Sequence, residues 1–256
     1  MELTTVGQVD VRADPWQRAT AVASILSVLA VGAGLIVTNN YNREQQQLAL
    51  QGQITERFTK AVEQLGQAGP EKIDVRLGAI HALERLMRDS VGDQPAVVDI
   101  LSAFVRVHSP SRRADDGSFT GDSTPRPVDI QASLTVLVRR NPDYDGSAFF
   151  GISLSETDLS RARLGHASLS DADLIDADLR GAILSVADLS HADLVRADLR
   201  GANLSGANLR GADLSDTKLD PEQIWCAHID EDTVLPAEAM RLVSKEPDNL
   251  VCDVLG

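Results

Sequence analysis

Residues 154–219 read LSETD LSRAR LGHAS LSDAD LIDAD LRGAI LSVAD LSHAD LVRAD LRGAN LSGAN LRGAD LSDTK L, with a leucine at every fifth position and no miss. Ala stands two residues before the leucine in eleven consecutive units, Ala162 to Ala212, with Thr157 and Thr217 at the ends. A period of five fits neither regular element. On a helix, ~100° per residue puts successive leucines ~140° apart and scatters them around the cylinder. On a strand, an odd period sends alternate leucines to opposite faces. Both conflicts vanish if the chain turns a corner once per unit, so that every leucine points to a common axis and the small alanine turns inward beside it. Such units cannot bury their apolar side alone; they must stack, at ~4.8 Å, and the stack needs caps.

This run resembles the pentapeptide-repeat family, whose consensus is A(D/N)LXX, with weaker flanking units centred on Phe149 and Ile224. The resemblance implies a right-handed quadrilateral β-helix over residues 145–219, with four units per coil. At sheet spacing, three and a half coils span roughly 17 Å. Between Leu154 and Leu219 there is no aromatic residue and no proline, which suits a lumen too narrow for rings. The fold alone says little about function.

Composition narrows the rest. In 256 residues there are 5 Phe, 2 Trp and 2 Tyr, so the cores must be aliphatic. The net charge of −14 is concentrated towards the C-terminus and leaves no basic footprint for nucleic acid. Cys226 and Cys252 form neither a metal-spaced pair nor a disulfide framework, and read as free thiols in a reducing compartment.

After an N-terminal tail (1–18), residues 19–38, ATAVASILSVLAVGAGLIVT, carry no charge. Twenty residues at ~1.5 Å each match the ~30 Å hydrocarbon layer, so Ala19–Thr38 reads as an uncleaved transmembrane helix. Trp16 and Tyr41 bracket it at interfacial positions, and no small-x-small cleavage region precedes Asn39. The expected location is single-pass in a bacterial inner membrane. Arg12 and Arg18 against Arg43 favour a cytoplasmic N-terminus. The lack of disulfides and the mostly intracellular family favour a cytoplasmic body, which is the placement adopted here.

Residues 43–140 read as a small all-α domain. Apolar positions recur at helical spacing through Ile54, Phe58, Ala61, Val62 and Leu65, closed by Gly66, and again through Ile73, Leu77, Ile80, Leu83 and Met87. A third helix carries Val97, Leu101, Phe104 and Val105, and a fourth carries Ile130, Leu134, Leu137 and Val138 before Arg139-Arg140. Between these last two, the polar, Pro-rich segment 109–127 reads as a flexible loop. The block resembles that of bacterial membrane-tethered pentapeptide-repeat proteins, which implies architecture and location but no reaction. Residues 220–256 read as a C-terminal cap and tail. There Asp220-Pro221-Glu222 starts a helix, Ile224 and Trp225 cover the end of the leucine column, and a second helix follows Pro236.

The search for chemistry finds no nucleophile, base and orienting group together. The five histidines are dispersed, and His81, among Ile80, Ala82 and Leu83, reads as a partly buried structural imidazole. No enzyme, metal or cofactor is expected. With four units per coil, residues twenty apart stack. Asp158, Asp178 and Asp198 then form one column, continued by Lys218, and Asp173, Asp193 and Asp213 form the adjacent one. Their ordinary role is to bond local backbone amides; their functional reading is an acidic stripe. Ile175 and Val195 stack outward as a second candidate contact. The resulting expectation is a non-enzymatic, membrane-anchored scaffold or protein-interaction module, with protein partners and self-association to a homodimer in view and no direct nucleic-acid binding. The alternative is an acidic DNA mimic that binds a type II topoisomerase such as DNA gyrase, as some pentapeptide-repeat proteins do. Arg161, Arg180, Arg196 and Arg200 beside the carboxylates dilute that field.

Overall fold

The computed structural model describes residues 45, 48–49, 51–112, 119–120, 126–145 and 151–243. The segment Ala19–Thr38, with Trp16, Tyr41 and the arginines around it, lies outside them, as do Phe149 and Cys252. Among the described residues no helix is long and apolar enough to cross a membrane. The chain divides into two compact units, Met1–Thr55 and Glu56–Gly256. In the first, the described residues are helical.

The second unit begins with helix α1 (residues 56–65), whose last turn is closed by the Gly66 amide on the Val62 carbonyl at 3.0 Å. Helices α2 (Ile73–Asp89), α3 (Gln94–His108) and α4 (Val128–Val138) then pack pairwise against one another. Ile80, Leu83, Met87, Val97, Leu101, Phe104, Val105, Ile130, Leu134, Leu137 and Val138 are all buried, as the helical spacing requires. Pro95 lies in the first turn of α3, where its missing N–H costs nothing. A buried ion pair ties α2 to α4, with Arg76 Nε 2.7 Å from Asp129 Oδ2. The same guanidinium donates to the Gln67 and Gly69 carbonyls. His81 departs from expectation: it is exposed and faces Glu84 at 3.4 Å. It occupies the solvent side of a helix whose buried stripe passes through Ile80 and Leu83.

From Ile152 the chain coils. Parallel bridges join residues twenty apart, Ser153 to Asp173 to Asp193 to Asp213 on one face and Asp158 to Asp178 to Asp198 to Lys218 on the next. Two further faces follow the same register through Arg163–Ile183–Asn203 and Ser168–Asp188–Asn208. Four units therefore make one coil, and the tube is a quadrilateral β-helix. Units of the earlier coils send two amides to the following coil, for example Leu154 to the Asp173 carbonyl at 2.7 Å and Glu156 to that of Ile175 at 2.8 Å. Corners are four-residue turns, such as Ala162 N to Leu159 O at 3.0 Å, with positive φ at the third residue. That residue is Gly at 181, 201, 206 and 211 and is non-Gly at nine other corners.

Thirteen leucines, Leu154 to Leu214, are buried with every alanine from Ala162 to Ala212. Leu219, expected in the same column, is only half-buried because no complete coil lies beyond it. The ladder itself continues past residue 219. His228 and Val234 bridge to Asn208 and Asp213, and the fully buried Ile224 takes the leucine position twenty beyond Leu204. Residues Pro221–Cys226 form a 3-10 helix, and α5 (Ala237–Val243) follows.

Candidate interaction surface

A β-helix has open edges at its first and last coils, where backbone groups lack a neighbour. In this chain the helices satisfy the first edge face by face. Asp158 N donates to the Ser109 carbonyl at 2.7 Å, and Ser109 Oγ donates back to the Asp158 carbonyl at 2.8 Å. Arg163 is held through both peptide groups by the Gln131 side chain, at 3.1 and 3.2 Å. Ser168 N donates to the Val138 carbonyl at 3.1 Å, and Arg140 Nη1 donates to the Ser168 carbonyl at 2.6 Å. Arg126 reaches the Asp158 carbonyl and, at 2.6 Å, that of Ser160. The described residues of segment 109–127 take part in this cap. Ser111 N donates to Glu156 O at 2.7 Å, and the buried Phe119 ring lies under the Arg180 guanidinium.

Charge is handled by burial and pairing. Arg140 and Asp145 form a buried pair in which Arg140 Nε donates to both carboxylate oxygens, with Gln94 Nε2 on Asp145 Oδ1 at 2.7 Å. Desolvation pushes the Arg140 guanidinium down from its ordinary value, against the attraction of Asp145. Burial likewise lowers Arg126, opposed by Asp158 and Asp178. At the other end Gln223 donates to the Leu199 carbonyl at 2.9 Å and to that of Ala202. Thr233 Oγ1 donates to the Leu209 carbonyl at 3.0 Å. Asp230 accepts from Gly211 N and Thr233, and these bonds hold its carboxyl below the usual range. None of these capping side chains follows from the five-residue pattern; the Asp220-Pro221 helix start was the only local sign of them.

Between the two caps lie the lateral faces of the tube. The six aspartates stand in the two expected columns, and each carboxylate accepts from the amide two residues on. Examples are Asp173 to Ile175 N at 3.2 Å, Asp193 to Val195 N at 3.1 Å and Asp213 to Ser215 N at 2.8 Å. The columns differ in exposure. Asp178 and Asp198 are buried beneath Arg180 and Arg200, which grip them bidentately at 2.6–2.9 Å. Those hydrogen bonds raise both guanidinium pKa values. Asp158 is part-covered by Arg126, with Nη2 3.7 Å from its Oδ1. Asp173, Asp193 and Asp213 are half-buried on the neighbouring face, with Ile175 and Val195 half-buried between them. Arg196 bridges coils there to Asp176 at 2.5 Å. The more exposed apolar pair is elsewhere: Ile183, on the face of Arg163 and Asn203, is 44% exposed, and Val186, at the corner after it, is 55% exposed.

Among the described residues no group of three or more His, Cys, Asp and Glu is placed to hold a metal. The repeats of the second unit form a tube with side chains bonded over its first and last coils. The model of the pentapeptide repeats matches residues 149–185 and 182–220, in eight copies. A pentapeptide repeat protein of the Arabidopsis thaliana thylakoid lumen is 30% identical over 33% of this chain and 58% of its own, with a TM-score of 0.30. One from Nostoc is 46% identical over 34% of this chain and 68% of its own, with a TM-score of 0.28. One from the cyanobacterium Cyanothece is 36% identical over 32% of this chain and 60% of its own, with a TM-score of 0.21. The chain thus spans between about 58% and 68% of these relatives. Comparison with curated proteins yields no match. The chain belongs to the pentapeptide-repeat family.

Proposed function

We propose that this protein is a non-enzymatic scaffold that presents the sides of its β-helix to a protein partner at a membrane. Ala19–Thr38 is its anchor in a bacterial inner membrane, and the capped body lies on the cytoplasmic side. The observation that carries this reading is the closure of both tube ends by hydrogen-bonded caps, which leaves the lateral faces as the accessible repeat surface. A repeat tube that spends its ends on caps cannot grow by edge pairing, so contact with another protein falls to its sides. The six column carboxylates accept from local backbone amides, which suits a presenting surface rather than a reacting one.

The alternative, an acidic mimic of DNA that occupies a topoisomerase, needs a continuous exposed column of negative charge. Two of the three carboxylates in the Asp158 column are buried under arginines, which argues against it. The test uses the full chain with a photo-crosslinking residue placed at Val195 or Ile183, in membranes. A discrete protein adduct from a lateral position, lost on Asp193→Arg or Ile183→Asp, supports the scaffold; no adduct from either overturns it. Inhibition of gyrase supercoiling by the same protein, abolished by Asp→Asn at 178, 193 and 198, would establish the mimic instead.

A further inference from the structure

A cavity of about 260 Å³ opens between α2 and the end of α4. Its walls include the apolar side chains of Met87 and Val136, and its rim carries Glu84, Arg88, Arg139 and Tyr144. Two arginines of this cap, Arg76 and Arg140, are each taken up by a buried aspartate and by carbonyls. Arg88 and Arg139 are not. Both are exposed, and among the described residues neither guanidinium has a hydrogen-bond or ion-pair partner. The same holds for the Tyr144 hydroxyl. Glu84 is turned to His81, 3.4 Å away, so the rim keeps an excess of positive charge. Arg140, paired with Asp145 and donating to the Ser168 carbonyl of the first coil, also lines the cavity.

We propose that this cavity binds a small amphipathic carboxylate, its apolar body against Met87 and Val136 and its anionic head between Arg88 and Arg139, with the Tyr144 hydroxyl as a third donor. Apolar walls with a few convergent donors are the usual anatomy of a small-ligand site. Guanidinium forks match a carboxylate in shape as well as charge. The volume is enough for one ring or a short chain. The site lies in the helical cap, away from the lateral faces, so this inference does not depend on the scaffold reading.

The test is binding of 4-(trifluoromethyl)benzoate to the full chain, followed by the ¹⁹F line width, with 4-(trifluoromethyl)benzamide as the neutral twin. The benzoate should bind at least about tenfold more tightly than the amide, and Arg88→Gln or Arg139→Gln should each weaken it about fivefold or more. The melting temperature should not change, since both side chains are exposed. Tyr144→Phe should give a smaller loss of the same sign. Equal binding of benzoate and amide, or full affinity in the double variant R88Q/R139Q, would overturn the site. Met87→Phe tests the cavity independently: it should block the benzoate while leaving the fold intact, and undiminished binding there also counts against it.

Discussion

The side-chain amide of Gln131 stands in for a missing strand: its oxygen accepts the Arg163 amide at 3.1 Å and its nitrogen donates to the Arg163 carbonyl at 3.2 Å. A peptide group of a preceding coil would do the same. The helices are thus joined to the tube by its own ladder chemistry, and Arg140 and Ser109 repeat the device on neighbouring faces.

Removing Arg140 should be the most damaging change to this junction. Arg140→Ala leaves Asp145 buried without its cation, and loss of one partner from a buried pair costs about 3–5 kcal/mol. Gln131→Ala, at a more exposed position, should cost only about 1–2 kcal/mol for two hydrogen bonds. Chemical denaturation of the two variants checks both the order and the gap. Similar, small losses would mean that the cap does not hold the first coil.

Leu194 and Ala192 test the lumen. Leu194 is fully buried, so Leu194→Ala should cost about 2–5 kcal/mol through the cavity it leaves. Ala192→Arg should be worse, because a guanidinium has neither space nor partner inside the coil. Thermal melting measures both, and parent-like curves would place these side chains outside.

The five-residue beat made the tube legible because each leucine repeats the same packing problem, and one geometry solves all of them. The helices were legible for the parallel reason that Ile80, Leu83 and Met87 recur at 3.6-residue spacing. The aspartate columns followed from the coil arithmetic alone. Their exposure did not: Asp178 and Asp198 are buried because Arg180 and Arg200 fold back over them, and a sequence shows that the charges are neighbours without showing which one lies on top. The caps were hidden for a different reason. Ser109, Gln131 and Arg140 meet residues about thirty to fifty positions away, and their roles depend on docking angles that no local pattern encodes.

Gly211 and His191 share a corner column, and they set a limit on substitution. A Cβ at Gly211 would collide with His191 Nδ1, and the backbone there has φ +66°. Gly211→Ala therefore combines a clash with left-handed strain, and should cost about 1–2 kcal/mol even if the imidazole swings aside. The double change Gly211→Ala with His191→Ala separates the two causes. It should recover the steric part and leave the backbone part, measured as a difference in denaturation midpoint.

Val186 offers the opposite change at the same kind of corner. Its φ of 57° is one that a β-branched side chain adopts only under strain, and its side chain is 55% exposed, so little packing compensates. Asparagine tolerates this region because its short polar side chain bonds locally. Val186→Asn should therefore stabilise the tube by about 1 kcal/mol, or roughly 2–4 °C in melting temperature for a chain of this size. A fall in melting temperature would show that Val186 gains more from the Gly206 neighbour its methyl faces than it loses in its backbone. The same variant reports on the lateral surface: if the Ile183–Val186 face carries the partner, stability should rise while the crosslinked adduct from Ile183 weakens.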